Sequence, residues 1–130
     1  MKVSETLNKA ADLIEERGWM KAAFGTDSAT GPLCLEGGIL AAMGMTDWVM
    51  DVEGCPAYVA IRRHLGTRCR NAVLPGVSDD RLWAWNDTVA KSADEVIEVL
   101  RACALIESAR ERQDEAYATY EQNIMVGASS

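Results

Sequence analysis

Cys34-Leu35-Glu36-Gly37-Gly38 and Trp83-Ala84-Trp85-Asn86-Asp87 are the two stretches on which the fold turns. Neither fits a plain surface helix, yet each stands where a helix should begin or end. Two adjacent glycines cost a helix about 1 kcal/mol each relative to alanine. Without a kink signal, they imply that another backbone or a bulky ring packs close. Trp19, Trp83 and Trp85 are the candidate rings. The reading is a packed junction between helices, and the rest of the chain supplies those helices.

Upstream, Val3, Leu7, Ala10, Ala11 and Ile14 share one 3.6-period face, with the acids mostly elsewhere. Ser4 is the candidate N-cap, Arg17 suits the last turn, and Gly18 sits where a left-handed C′ residue belongs. Trp19 to Phe24 breaks the period, and Gly25 to Pro32 is turn chemistry, so a short hairpin or extended loop is expected before Leu35. The junction helix then runs from Leu35 to Met43 and ends at Gly44. Pro56 suits the first position of a third helix, bearing Tyr58, Val59, Ile61 and Leu65, that stops at Gly66. Ser78 can cap a short fourth helix through to Trp85, with Asn86-Asp87 as an Asx-turn exit. Ser92-Ala93-Asp94-Glu95 has the form of a capping box and opens a last helix that reaches about residue 122. Its first half has a wide apolar face. Its second half keeps only a narrow stripe, continued from Val99, Cys103 and Ile106 to Tyr117, Tyr120 and Ile124. That narrowing predicts a helix leaving its own core, to meet a partner chain or lie in solvent.

These elements give a mainly α-helical chain, a compact bundle of about five helices with a hairpin or loop between the first two. At 130 residues it is one domain, 1–125, with 126–130 as a frayed tail. Core candidates are Leu7, Ala10, Ala11, Ile14, Trp19, Leu35, Ile39, Leu40, Ile61, Leu65, Trp85, Val96, Ile97 and Leu100. No apolar run is long enough to span a bilayer, and Met1-Lys2-Val3 leads into no signal-peptide h-region, so the expected address is the cytoplasm.

The net charge of −7 is uneven. Residues 54–78 carry Arg62, Arg63, Arg68 and Arg70 and no acid, while both flanking regions are acidic. An acidic whole disfavours nucleic acid and anionic membranes. The arginine block is a candidate surface for an acidic partner, though the simpler reading pairs it with the neighbouring acidic helices. Cys34, Cys55, Cys69 and Cys103 are dispersed without a C-x-x-C pair, which in a reducing compartment reads as small buried hydrophobes. No cofactor and no metal are expected, since a Cys55, His64, Cys69 set lacks the usual ligand spacing of a zinc site.

The run Leu7 to Trp19, ending Arg17-Gly18-Trp19, resembles an actinobacterial and actinophage family known as domain of unknown function 6197. The similarity continues through Gly31-Pro32-Leu33, Cys34-Leu35-Glu36-Gly37-Gly38-Ile39, Trp85-Asn86-Asp87 and Ser92-Ala93-Asp94-Glu95-Val96, roughly residues 5–105. Gly38 stands where the family usually has Ala, and Ile39 where it has Leu. The extension after Leu105 is longer than in many relatives. The resemblance implies a phage or actinobacterial origin, with host cytoplasm as the location, and no activity.

Two functions are weighed. The favoured one is a non-enzymatic interaction protein, binding a protein partner or itself through Tyr117, Tyr120 and Ile124 or through Arg62, Arg63, Arg68 and Arg70. The alternative is a cysteine-dependent hydrolase or transferase with Cys34 at a helix N-terminus, His64 as base and Asn86 as orienting group. Against it, His64 falls late in a predicted helix, where the dipole alone favours a histidine.

Overall fold

A computed structural model of the chain describes residues 1–21, 31–45, 55–68, 85–86 and 89–128. It holds four helices among these residues: α1 (Val3–Arg17), α2 (Leu35–Ala42), α3 (Pro56–Arg68) and α4 (Ala93–Ala128). The expected fourth of five, between Ser78 and Trp85, lies almost wholly outside the described residues, where only Trp85 and Asn86 are seen, in helical conformation.

α1 and α4 form the spine. Leu7, Ala10, Ala11 and Ile14 are fully buried, as the periodicity predicts, and meet Val96, Val99, Leu100 and Cys103. The two helices run antiparallel, since Ser4 meets Glu111 while Asp12 and Glu15 meet Arg101. α2 lies against α1 with Leu35 and Ile39, and α3 adds Tyr58, Ile61 and Leu65. Every expected core residue but Leu40, which is buried outside it, is in this cluster or against it. Trp19 and Ile97 are its partly buried margin.

Several helix ends depart from expectation. α1 begins at Val3 with Lys2 as N-cap, and Lys2 makes no side-chain capping bond. Ser4 is therefore inside the first turn, and its free amide is satisfied from α4 instead. Gly18 has φ 94° and ψ 165°, which is the extended glycine region and not the left-handed helical one. It sends the chain straight into a bridge, in which Leu33 N–H donates to Gly18 O at 2.9 Å and Met20 N–H to Leu33 O at 3.1 Å. This Trp19–Leu33 bridge is parallel. A hairpin would pair antiparallel, so Trp19 and Leu33 are not the two arms of one; residues 22–30 between them lie outside those described.

Gly38 of α2 packs against α1. A Cβ on Gly38 would lie 2.8 Å from Ile14 Cδ1 and 3.6 Å from Ala10 O, so α1 and not a tryptophan occupies the space. α3 starts at Pro56 as expected but runs through Gly66 to Arg68. α4 opens on a capping arrangement, with Glu95 N–H donating to Ser92 Oγ at 3.2 Å and Lys91 N–H to Glu95 Oε2 at 2.9 Å. It then continues past the expected residue 122, through the 126–128 stretch, to Ala128.

Candidate interaction surface

The helical junction is a hydrogen-bonded knot centred on Asn86, which is wholly buried. Its Oδ1 accepts from Trp19 Nε1–H at 2.6 Å and from Leu35 N–H at 3.1 Å, an orphan donor of the first turn of α2. Its Nδ2 donates to Met20 O at 3.0 Å. One side chain thus ties together the exit of α1, the bridge and the start of α2. Cys34 caps the same helix: it is buried, and its Sγ accepts from Gly37 N–H at 3.3 Å.

This geometry bears on the expected cysteine chemistry. An orienting asparagine must offer its carboxamide oxygen to the histidine, and both lone pairs of Asn86 Oδ1 already have donors. His64 is half-buried near the end of α3. Asn86 thus ties the junction together, while the Asx turn expected of Asn86-Asp87 runs into residues outside those described. Asp87 and Trp83 lie outside the described residues.

Of the arginine block, Arg62 and Arg63 are exposed on α3. Arg63 Nη2 reaches Glu107 Oε1 on α4 at 2.9 Å, and Arg110 approaches the same oxygen at 3.9 Å. Arg63 therefore meets an acidic helix, as the simpler reading has it. The side chain of Arg68, and Arg70 altogether, lie outside the described residues, as does Cys69. Beside Glu107, burial pushes the Cys103 thiol up to about 12, and the nearby carboxylate adds to the effect. Such a thiol stays neutral and unreactive.

A half-open cavity of about 310 Å³ lies between the starts of α1 and α3, lined by Val3, Thr6, Met43, Cys55 and Pro56 among others. Its one hydroxyl, Thr6 Oγ1, donates to Lys2 O. Cys55 Sγ contacts Met43 Sδ at 3.3 Å. The wall is apolar and sulfur-rich, without the convergent polar groups that orient a ligand.

The third feature is α4 itself. At 36 residues it is about 54 Å long, and only its first half covers the core. Glu111 and Glu115 make the last contacts inward. Glu111 accepts from Ser4 N–H at 3.1 Å and Ser4 Oγ–H at 2.6 Å, while Lys2 Nζ meets Glu115 at 2.9 Å. Partial desolvation works to raise the Glu111 carboxyl, but the two Ser4 hydrogen bonds outweigh it and hold the group below the usual carboxylate range. From Arg112 to Gly127 every side chain is exposed. Tyr117, Tyr120 and Ile124 are 64%, 61% and 51% exposed, and the two tyrosine rings sit 6.3 Å apart. Leu105 and Ile106 are exposed on the same side of the helix, which turns by about 100° per residue. From Ala102 to Gly127 an arc of about 120° carries no charged residue.

The sequence profile of a family of unknown function, DUF6197, matches residues 1–105. The chain belongs to that family. Comparison with curated proteins and with solved structures finds no match. The DUF6197 match ends inside α4, at the point where the helix starts to leave the core. The junction knot lies within the matched region, and the exposed arm lies beyond it. Sequence reasoning found Tyr117, Tyr120 and Ile124 by their spacing. It missed Glu111 and Glu115, because nothing local distinguishes a carboxylate that caps a distant helix from one that faces water.

Proposed function

We propose that this DUF6197 protein is a non-enzymatic interaction module, in which the helical core anchors a docking arm formed by the second half of α4. The observation that carries this reading is an uncharged stripe with two tyrosines and an isoleucine on a helix whose every side chain from Arg112 to Gly127 is exposed. A lone helix of this length is marginal in water, so such a stripe is a surface that gains from being covered. The narrow 3–4 spacing suits one partner helix. Arg62, exposed on α3, marks a second, lesser surface, the one expected of Arg62, Arg63, Arg68 and Arg70. The family resemblance supports a phage or actinobacterial origin and a place in the host cytoplasm. No described helix is long and apolar enough to cross a membrane.

The test is a photoreactive side chain introduced at Tyr120, on the stripe, or at Gln122, on the opposite side, in cells producing the protein. A discrete cross-linked protein product from position 120 and none from position 122 is the expected result. Equal yields from both, or no product from either, would remove the docking arm as a functional surface.

A further inference from the structure

We infer that the partner of the arm is a second copy of this chain, packed antiparallel along the stripe with a two-fold axis between residues 116 and 117. The inference rests on the docking reading above and adds an occupant and a register to it. Its ground is the order of residues along the stripe. Ile106, Ala109, Gln113, Ala116, Tyr117, Tyr120, Ile124 and Gly127 are spaced 3, 4, 3, 1, 3, 4, 3, which reads the same from either end. Such a helix face is the self-matching patch that a two-fold interface requires.

Antiparallel packing about this axis sets each large residue against a small or polar one of the other copy. Ile106 faces Gly127, Ala109 faces Ile124, Ala116 faces Tyr117, and Gln113 faces Tyr120, where the amide and the phenol can hydrogen-bond. Parallel, in-register packing gives the opposite result. It stacks Tyr117 on Tyr117 and Ile124 on Ile124 and leaves Ala109 against Ala109.

Charge points the same way. Arg110 and Glu121 lie on the same flank of the stripe, and antiparallel helices bring that flank against itself. Each Arg110 then comes within about 3 Å, along the axis, of the other copy's Glu121, and the pair forms twice. Arg110 is available for it, because its contact with Glu107 within the chain is long, 3.9 Å. Leu105 and Ile106 are exposed, so the core does not block the near end of the stripe. Within the overlap each body keeps to the Glu107, Glu111 and Glu115 side of its own α4, which lies outside the stripe. An overlap of about 33 Å is a single-helix seam, short enough for the dimer to dissociate on dilution.

Sedimentation velocity on the purified full chain, from micromolar to millimolar concentration, should show a monomer–dimer equilibrium. Tyr117→Lys should weaken the dimer at least tenfold, and Gln122→Lys on the opposite face should leave it unchanged. Both positions are exposed, and circular dichroism would show the helix retained. Under mild oxidation Ala116→Cys should form a disulfide-linked dimer that the parent chain does not form. Asn123→Cys should not, because the register holds the two copies of residue 123 about 20 Å apart. Cross-linking through Asn123→Cys would overturn the antiparallel register. A monomer at every concentration would overturn the second copy as partner. If the stripe still cross-linked to another protein in cells, the docking arm itself would stand. If it cross-linked to nothing, both readings would fall together.

Discussion

Asn86 carries more of the architecture than any other single side chain. Removing its carboxamide strands a buried helix N-terminal amide together with a part-buried indole N–H and the part-buried Met20 carbonyl. Each buried group left unsatisfied costs about 1–3 kcal/mol. Asn86→Ala should therefore lose about 3 kcal/mol or more in urea denaturation. Asn86→Asp should not rescue it, because it turns the donor facing Met20 into an acceptor and buries a charge. A loss under 1 kcal/mol for Asn86→Ala would mean the junction is held by packing alone. The two glycines that flank this junction call for different treatment. Gly18, at φ 94° and ψ 165°, occupies a region closed to other residues, so Gly18→Ala should cost about 1–3 kcal/mol. Gly38 is constrained by space. Gly38→Ala must displace Ile14 Cδ1 by a few tenths of an ångström, against a gain of about 1 kcal/mol in helix propensity, and should be close to neutral. Gly38→Val meets Ile14 without that gain and should lose about 2 kcal/mol, read from the same denaturation midpoints.

At the scale of elements, α1 borrows its N-terminal cap from α4. The Glu111 carboxylate binds the Ser4 amide and hydroxyl, and Lys2 and Arg101 add ion pairs to Glu115, Asp12 and Glu15. The ion pairs are exposed and contribute little. The cap is worth about 1 kcal/mol. Its pH dependence has a definite sign. The folded-state pKa of Glu111 is lowered, so its contribution is complete above the unfolded carboxylate range and is lost as pH falls through the folded value. Glu111→Gln should thus be less stable than the parent at pH 7, and the gap should close below about pH 4. A gap that persisted in acid would assign the effect to shape and not to charge. The features readable from sequence were those made by neighbours along the chain: the α1 stripe, Pro56 at the start of α3, and the Ser92–Glu95 cap. What could not be read are contacts between distant positions. Ser4 meets Glu111 across 107 residues, and Trp19 meets Asn86 across 67. A local pattern instead offered Ser4 as an N-cap and Gly66 as a stop, and tertiary packing overrode both. For the same reason the core does not end where the family match ends. Truncation after Leu105 removes Glu107 and Glu111 and should lower the melting temperature. Truncation after Ala116 should leave it nearly unchanged, since side chains 117–127 are all exposed in the monomer.

Across the whole molecule, the antiparallel α1–α4 spine divides the chain into a closed body and an open arm, and thiol chemistry can report which is which. Cys34 and Cys103 are buried in the body, while Cys55 sits at the edge of the half-open cavity. The Cys103 thiol, pushed up to about 12 by burial, is protonated at neutral pH in any case. Site-resolved alkylation near neutral pH should therefore label Cys55 quickly, through local opening. Cys34 and Cys103 should label slowly, at rates that rise together with denaturant as global unfolding supplies access. Substitutions at the exposed stripe positions Tyr117, Tyr120 and Ile124 should leave both slow rates untouched, because these side chains lie beyond the last contacts with the body, at Glu111 and Glu115. Raising the pH gives a second signature. Between the unfolded thiol value, about 8.5, and the folded value, the unfolded chain sheds the Cys103 proton first, so stability should decline above about pH 9. Cys34 decides between the two functional readings. Rapid, selective labelling of Cys34 in the folded protein would mean an exposed thiolate at the α2 N-terminus, and would move the hydrolase or transferase reading ahead of the docking arm. Labelling that tracks Cys103 makes Cys34 a helix cap within the core and leaves the arm as the surface through which the molecule acts.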